Sequence, residues 1–313
     1  MPSSRVLLAV SGFSPRRWHE LLAARREVAL EPDGPADPSI RYAVVWRYKH
    51  GLLKTLPNLK AIFSVGAGVD HILADPDLPD LPVIRVVDEN LTQHMVEYVC
   101  WRVLDHHRQG MLYRAQQPRK VWHEPPQRPA PDIAVGVMGL GQLGRAAASM
   151  LKTIGFTVNG WSRRPQDVEG ITSFVGVEGL VAFLNATDIL VVLLPLTAET
   201  TGIIDHALLT NLRRRNGLGG AVLVNAGRGK LQRDADILRA LEDGTLKEAS
   251  LDVFEEEPLP PDSPLWLHPR VFITPHAAAT SDPNHLVGPM LDQMDAMDRG
   301  EAPQNVVDRA AGY

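Results

Sequence analysis

The chain has 313 residues, more than one hydrophobic core ordinarily serves and about right for two domains. With 44% hydrophobic and 22% charged residues it is not a disordered polypeptide, and a formal net charge of -5 gives no field that would gather nucleic acid. The sole cysteine, Cys100, excludes an intrachain disulfide or a thiolate metal cluster, and no apolar run is long enough to span a bilayer.

The opening MPSSRVLLAVSGF enters a strand-like run and not a long apolar leader, so a cytoplasmic protein with no membrane partner is expected. Val6–Val10 reads as a buried strand and Trp18–Arg26 as a short helix. Ala43–Trp46, Ala61–Ser64 and Val83–Val87 are further strands, punctuated by Pro and Gly as in an α/β layer. A helix is predicted from about Thr92 through the HMVEYVCWRVLDHHRQG segment, with Met95, Val99, Arg102, Val103 and His106 on one buried side. The adjacent His106 and His107 are expected at a surface or interface, and with no compact ligand set beside them no metal site is expected. Residues 116–132, rich in proline and polar groups, read as an excursion between folded units. Trp122 within it either anchors that loop or covers a ligand.

The second unit begins with the apolar strand Ile133–Met138, runs into GLGQLG, and continues as the helix Gln142–Ile154. Gly139, Gly141 and Gly144 thus form a G-x-G-x-x-G turn in a strand–turn–helix setting, which predicts a dinucleotide site. The first glycine allows the tight turn, the second the approach of a pyrophosphate, and the third close helix–strand contact. The helix start supplies N–H groups and positive dipole to the anion. The next strand, Thr157–Trp161, returns the chain to the adenosine end. An acidic residue there would favour the free ribose hydroxyls of NAD(H). The chain instead places Ser162, Arg163 and Arg164, whose donors suit a ribose phosphate, so NADP(H) is the preferred cofactor and NAD(H) a possible one. Asp188–Leu194 is another buried strand, and Pro195 stops it where the nicotinamide pocket would be shaped.

Three later strand ends carry reactive groups. Ala221–Asn225 leads into Ala-Gly-Arg-Gly, where Arg228 can hold a carboxylate through paired hydrogen bonds and polarise an adjacent carbonyl. The run through Leu251 and Asp252 ends in Glu255, Glu256 and Glu257 before Pro258, and Val271–Thr274 ends at Pro275 and His276. Reduction of a 2-keto acid needs a hydride at carbon and a proton at oxygen. His276 can supply that proton, with Glu257 orienting it and favouring its charged form. A final helix over about 283–299 can return to the first unit.

These motifs together resemble the D-isomer-specific 2-hydroxyacid dehydrogenase family, in particular its glyoxylate/hydroxypyruvate reductase A branch. The marks are SVGAGVD at 64–70, GLGQLG at 139–144, WSRR at 161–164, LPLTAET at 194–200, NAGRG at 225–229, LDVFEEEPLP at 251–260, SPLW at 263–266, ITPHAAA at 273–279 and VDRAAGY at 307–313. The resemblance implies an α/β fold of two Rossmann-like domains with a cleft between them. The cofactor domain, 103–283, would be inserted into a discontinuous substrate domain, 1–102 plus 284–313. It implies Arg228, Glu257 and His276 as catalytic residues and a carboxylate-holding backbone turn at Val65 and Gly66. It sets Asp252 beside the nicotinamide carboxamide and Trp46 and Trp122 at the substrate's border. The implied partners are a small 2-keto or 2-hydroxy acid and a second copy of the chain, in a homodimer built through the cofactor domains. The basic segment 211–225 looks longer than the family's usual connection. The expected reaction is NADPH-dependent reduction of glyoxylate or hydroxypyruvate to glycolate or D-glycerate. The alternatives are a D-lactate or bulkier D-2-hydroxyacid dehydrogenase, and a dinucleotide-sensing protein with little turnover.

Overall fold

A computed structural model of the chain describes residues 4–30, 37–215 and 218–312. The backbone divides into two units, one within 1–91 and 280–313, the other over 92–279. The first unit opens with Arg5–Val10 (β1), Arg16–Ala23 (α1), Val28–Leu30 (β2), Ile40–Trp46 (β3), Ala61–Ser64 (β4), Asp70–Leu73 (α2) and Val83–Ile84 (β5). All of its strand pairs are parallel, in the order β2-β1-β3-β4-β5. A parallel sheet is buried on both faces, so its strands are continuous apolar runs, as in β4, where every residue is buried.

Glu89–His107 (α3) crosses into the second unit, which continues with Gly110–Gln116 (α4), Ala134–Met138 (β6), Gln142–Ile154 (α5), Thr157–Ser162 (β7), Thr172–Val175 (β8), Gly176–Asn185 (α6) and Ile189–Val192 (β9). His206–Thr210 (α7), Ala221–Asn225 (β10), Asp234–Glu242 (α8), Leu246–Leu251 (β11) and Val271–Ile273 (β12) complete it. Its seven parallel strands run β12-β11-β10-β9-β6-β7-β8. The order reverses beside β6, the first strand of this unit, and such a switch point opens a ligand crevice at the strands' carboxyl ends. The two-residue period of a strand sorts the core. Ile189 and Val191 pack with α3 and α5, whereas Leu190 and Val192 pack with α6, α7 and α8.

Pro283–Asp298 (α9) closes the first unit. Arg26, its side chain almost wholly buried, pairs with Asp295 and Asp298 of α9, and the Tyr42 hydroxyl donates to Asp298 at 2.8 Å. Among the described residues no helix is long and apolar enough to cross a membrane.

The sequence reading set the domain boundaries at 102/103 and 283/284; the units divide at 91/92 and 279/280. The shift follows from α3, whose Arg102 and His106 bond to Ser250 and Glu248 of β11 and so tie the helix to the second unit. The same bonds correct the expectation that His106 and His107 are surface or interface groups: both are buried, and His106 sits between Glu248 Oε2 and Ser250 Oγ, each at 2.7 Å. Burial holds the His106 imidazole below its ordinary pKa, so it is neutral. Burial also opposes ionisation of Glu248, but the His106 hydrogen bond and the neighbouring charges, Lys247 among them, together outweigh it and hold the carboxyl below its ordinary pKa. In the basic segment 211–225, Arg213 pairs with Asp188, while Asn216 and Gly217 lie outside the described residues.

Candidate active site

The carboxyl edge of the second sheet carries the sequence-predicted residues in spatial order. At or just beyond the ends of β12, β11, β10, β9, β6 and β7 stand His276, Asp252, Arg228, Pro195, Gly139 and Ser162. Adjacent strands lie about 4.8 Å apart, so the chain positions of His276 and Arg228, two strands apart, differ by roughly 10 Å across the sheet.

The glycine turn is built for an anion. Gly139 adopts φ +108°, and a Cβ there would lie 2.8 Å from the Leu193 carbonyl oxygen. A Cβ on Gly144 would lie 1.8 Å from the Gly139 carbonyl oxygen, so only hydrogen fits where α5 meets the turn. Gly141 is the N-cap of α5 and has no side chain to satisfy the helix's first N–H groups, while a Cβ built on it meets nothing within 4 Å. Donors with open space above them are what a pyrophosphate requires.

At the other end of the crevice, Arg163 and Arg164 are exposed and Ser162 is buried. The Ser162 hydroxyl donates to the Arg164 carbonyl at 2.7 Å, so it shapes the arginine turn instead of serving as the outward donor the sequence suggested. Glu199, in the loop after β9, is held below the usual carboxylate range, chiefly by the Thr197 hydroxyl, with the field of Arg163 contributing. The Pro195 carbonyl accepts from Thr200 at 2.8 Å, which ties that loop back on itself.

At the reacting end, Arg228 has extended backbone angles, and one guanidinium nitrogen donates to the Gly227 carbonyl at 2.8 Å. Its neighbour Gly229 touches the next strand's exit: a Cβ there would fall 1.7 Å from the Phe254 carbonyl oxygen. His276 and Glu257 meet as expected, with Nδ1 2.8 Å from Oε2. A carboxylate only accepts, so Nδ1 carries the hydrogen and Nε2 is the nitrogen left for proton exchange. The Phe254 N–H donates to the other Glu257 oxygen at 3.2 Å, and the Glu257–Pro258 bond is cis.

His276 adopts φ +53°, a left-handed conformation that costs a non-glycine residue about 1–3 kcal/mol and persists only where the surroundings impose it. Asp252 imposes it. Its main-chain carbonyl accepts from His276 N at 2.8 Å, and its carboxylate accepts from Ala277 N at 2.8 Å, Ala278 N at 3.0 Å and the Thr274 hydroxyl at 2.6 Å. Only 1% exposed, Asp252 serves the His276 turn, a duty additional to the place beside the nicotinamide carboxamide that the resemblance implies. This duty, and Thr274's part in it, had no signal in the sequence.

In the first unit, Trp46 ends β3 with its ring against Gly66, where a Cβ would lie 2.4 Å from the indole, and 4.4 Å from the His71 ring. The amides of Val65 and Gly66 are already used: the first donates to the Val45 carbonyl at 3.2 Å, the second to Ser64 Oγ at 3.2 Å. Ala67 and Gly68 follow, partly exposed, and their amides have no hydrogen-bond acceptor among the described residues. Trp122 is fully exposed at 103% of its reference area, so it does not anchor its loop.

Residues 100–278 match the family described as D-isomer specific 2-hydroxyacid dehydrogenase, NAD binding domain. The glyoxylate/hydroxypyruvate reductase A of Yersinia enterocolitica is 38% identical, over 96% of this chain and 97% of that protein. Among solved structures, the NADPH-dependent glyoxylate/hydroxypyruvate reductase of Sinorhizobium meliloti, in complex with NADP and sulfate, superposes with a TM-score of 0.94 at 43% identity, covering 99% of this chain and 100% of that one. A probable 2-hydroxyacid dehydrogenase of Rhizobium etli, in complex with NADP, HEPES and L(+)-tartaric acid, gives 0.91 at 45% identity, covering 99% of each chain. With the glycine turn, the arginine turn and the His276–Glu257 pair ranged along one sheet edge, and a likeness that runs nearly end to end, this chain belongs to the D-isomer-specific 2-hydroxyacid dehydrogenase family.

Proposed function

We propose that this protein reduces glyoxylate and hydroxypyruvate to glycolate and D-glycerate with NADPH. The observation that carries the reading is the His276–Glu257 pair, held in a left-handed turn on the sheet edge that also presents Arg228 and the glycine turn. NADPH, when bound, supplies the hydride. The Gly139–Gly144 turn and the α5 N-terminus hold its pyrophosphate, and Arg163 and Arg164 its ribose phosphate. Pro195 and its tied loop border the nicotinamide end.

Arg228 binds the substrate carboxylate and draws charge from the adjacent carbonyl. His276, charged before transfer, gives the Nε2 proton to the carbonyl oxygen as it becomes an alkoxide, while Glu257 keeps the ring oriented and compensates its charge. The first unit acts as the substrate-binding domain. There the amides of Ala67 and Gly68 replace Val65 and Gly66 as carboxylate donors, because the latter pair is already hydrogen-bonded, and Trp46 stiffens that turn. The protein works as a homodimer, supported by the half-exposed Trp101 on α3 and the fully exposed Trp122 in the loop beyond α4. Its compartment is the cytoplasm, where the unpaired Cys100 thiol remains reduced.

Initial rates for glyoxylate, hydroxypyruvate, pyruvate and phenylpyruvate, each with NADPH and NADH, test the reading. The expected outcome is highest kcat/KM for the first two acids with NADPH. A preference for phenylpyruvate would make it a bulkier D-2-hydroxyacid dehydrogenase, and no acid-dependent NADPH oxidation would overturn the enzymatic reading.

A further inference from the structure

The turn that presents His276 is fixed by residues the reaction itself does not use. We propose that Tyr98 and Thr274 are positioning residues, which act through Asp252 to hold His276 in the conformation that delivers its proton. This rests on the reading of His276 as the proton donor.

The direction of the hydrogen bonds follows from the chemistry of the groups. Thr274 Oγ1 lies 2.6 Å from Asp252 Oδ1 and 2.8 Å from the Tyr98 hydroxyl. A carboxylate offers no proton, so the single Thr274 hydroxyl hydrogen goes to Asp252. Tyr98 must then be the donor to Thr274, and burial, which pushes its phenol pKa upward, keeps it a donor. The relay runs one way, from Tyr98 to Thr274 to Asp252. At its end Asp252 receives the N–H groups of His276, Ala277 and Ala278, three consecutive residues. These bonds, together with the His276 N–H contact to the Thr274 carbonyl at 3.1 Å, hold His276 at φ +53°.

Tyr98 is itself fixed from behind. Tyr98, Arg102 and His106 recur every four residues on α3, a rise of about 6 Å per step. Asp252, Ser250 and Glu248 recur every two residues at the end of β11, about 6.6 Å per step. The two repeats stay in register. Arg102 Nε donates to Ser250 Oγ at 2.9 Å, and His106 joins Ser250 to Glu248. The Arg102 guanidinium also lies 3.8 Å over the Phe272 ring of β12, the strand that leads to Thr274. A seam of this kind keeps the helix from sliding, which would otherwise draw Tyr98 off the relay.

The test compares wild type with Tyr98→Phe, Thr274→Val, Thr274→Ser and His276→Ala, reading kcat and KM with glyoxylate, NADPH affinity and the thermal midpoint. A misplacement of a reacting group by about 1 Å can cost a hundredfold in rate, so Thr274→Val should lower kcat by roughly tenfold to a hundredfold. KM and NADPH affinity should stay within about twofold, since the two hydroxyls are engaged with each other and with Asp252. Tyr98→Phe should fall in the same direction by a smaller factor, and Thr274→Ser, which restores the hydroxyl, should recover most of the rate.

The proposal is overturned if both relay variants keep kcat within about twofold, or if their losses follow the thermal midpoint and Thr274→Ser recovers nothing. Should Thr274→Val fail to fold, Tyr98→Phe decides by the same criterion. His276→Ala separates the two readings: undiminished kcat in that variant removes the proton donor itself, whereas a loss there with intact relay variants removes only the positioning role.

Discussion

The arginine turn offers a quantitative test of cofactor choice. Arg163 and Arg164 follow the buried Ser162, whose hydroxyl fixes the turn by donating to the Arg164 carbonyl, so both guanidinium groups project from a defined backbone. A charge-assisted hydrogen bond to phosphate is worth about 1.5–3 kcal/mol when shielded. Both arginines are exposed, and solvent screening brings each contact to about 1 kcal/mol, roughly a fivefold effect. Arg163 also spends part of its field on Glu199, so its removal should cost less than that of Arg164. The single substitutions Arg163→Ala and Arg164→Ala should each lower the ratio of kcat/KM for NADPH over NADH by a few-fold, and the double variant by about tenfold to thirtyfold. Efficiency with NADH should stay within about twofold in every case, because the free ribose hydroxyls make no demand on these charges. Added salt should raise the KM for NADPH of the wild type more steeply than that of the double variant. The assay is NADPH and NADH oxidation at fixed glyoxylate. A double variant that keeps the wild-type cofactor ratio would refute the reasoning, as would one that loses both cofactors in parallel.

Three further outcomes follow from the geometry. Arg228→Ala should cut kcat/KM for small keto acids by roughly a hundredfold or more with NADPH binding retained, and Arg228→Lys should recover little because it lacks the paired donors; isothermal titration beside steady-state rates checks both. Gly229→Ala places a Cβ 1.7 Å from the Phe254 carbonyl oxygen, so the backbone that leads to Glu257 must shift; a stability loss of about 1–3 kcal/mol should accompany a lower kcat in urea melts and rate assays. In the first unit, burial of Asp298 raises its pKa, but hydrogen bonds from Arg26, Tyr42, Ser4 and Lys60 outweigh it and bring the carboxyl down to about 2. Its stabilising contribution, on the order of 2 kcal/mol, is therefore complete above about pH 4 and lost as the pH falls toward 2; Asp298→Asn should remove it and flatten the acid limb of a stability-against-pH curve.

Where the sequence was legible, one physical signal dominated. The strand before Gly139 is wholly apolar and the turn after it needs glycine for sterics alone, so spacing and composition located both. His276 was legible as a residue at a strand end, yet its left-handed backbone depends on Asp252, whose partners come from two other strand exits, those of β10 and β12. The histidines at 106 and 107 read as surface groups because polar pairs usually are; the partners that bury His106 lie 142 and 144 residues away. The amides of Val65 and Gly66 seemed available because small residues surround them, but Val65 belongs to the ladder with β3 through Val45, and only pairing shows which N–H is spent. The strands β2 and β8 escaped notice because they are only three and four residues long and lie exposed or half-buried at the sheet edges.

The central claim is that His276 delivers a proton to a keto acid while NADPH is oxidised. The most direct measurement is a single-turnover trace of NADPH oxidation by wild type and His276→Ala, each saturated with glyoxylate. The account predicts rapid, acid-dependent oxidation by the wild type and a rate about a hundredfold to ten-thousandfold lower for the variant, with the same NADPH bound at the start. Equal single-turnover rates for the two proteins would contradict it.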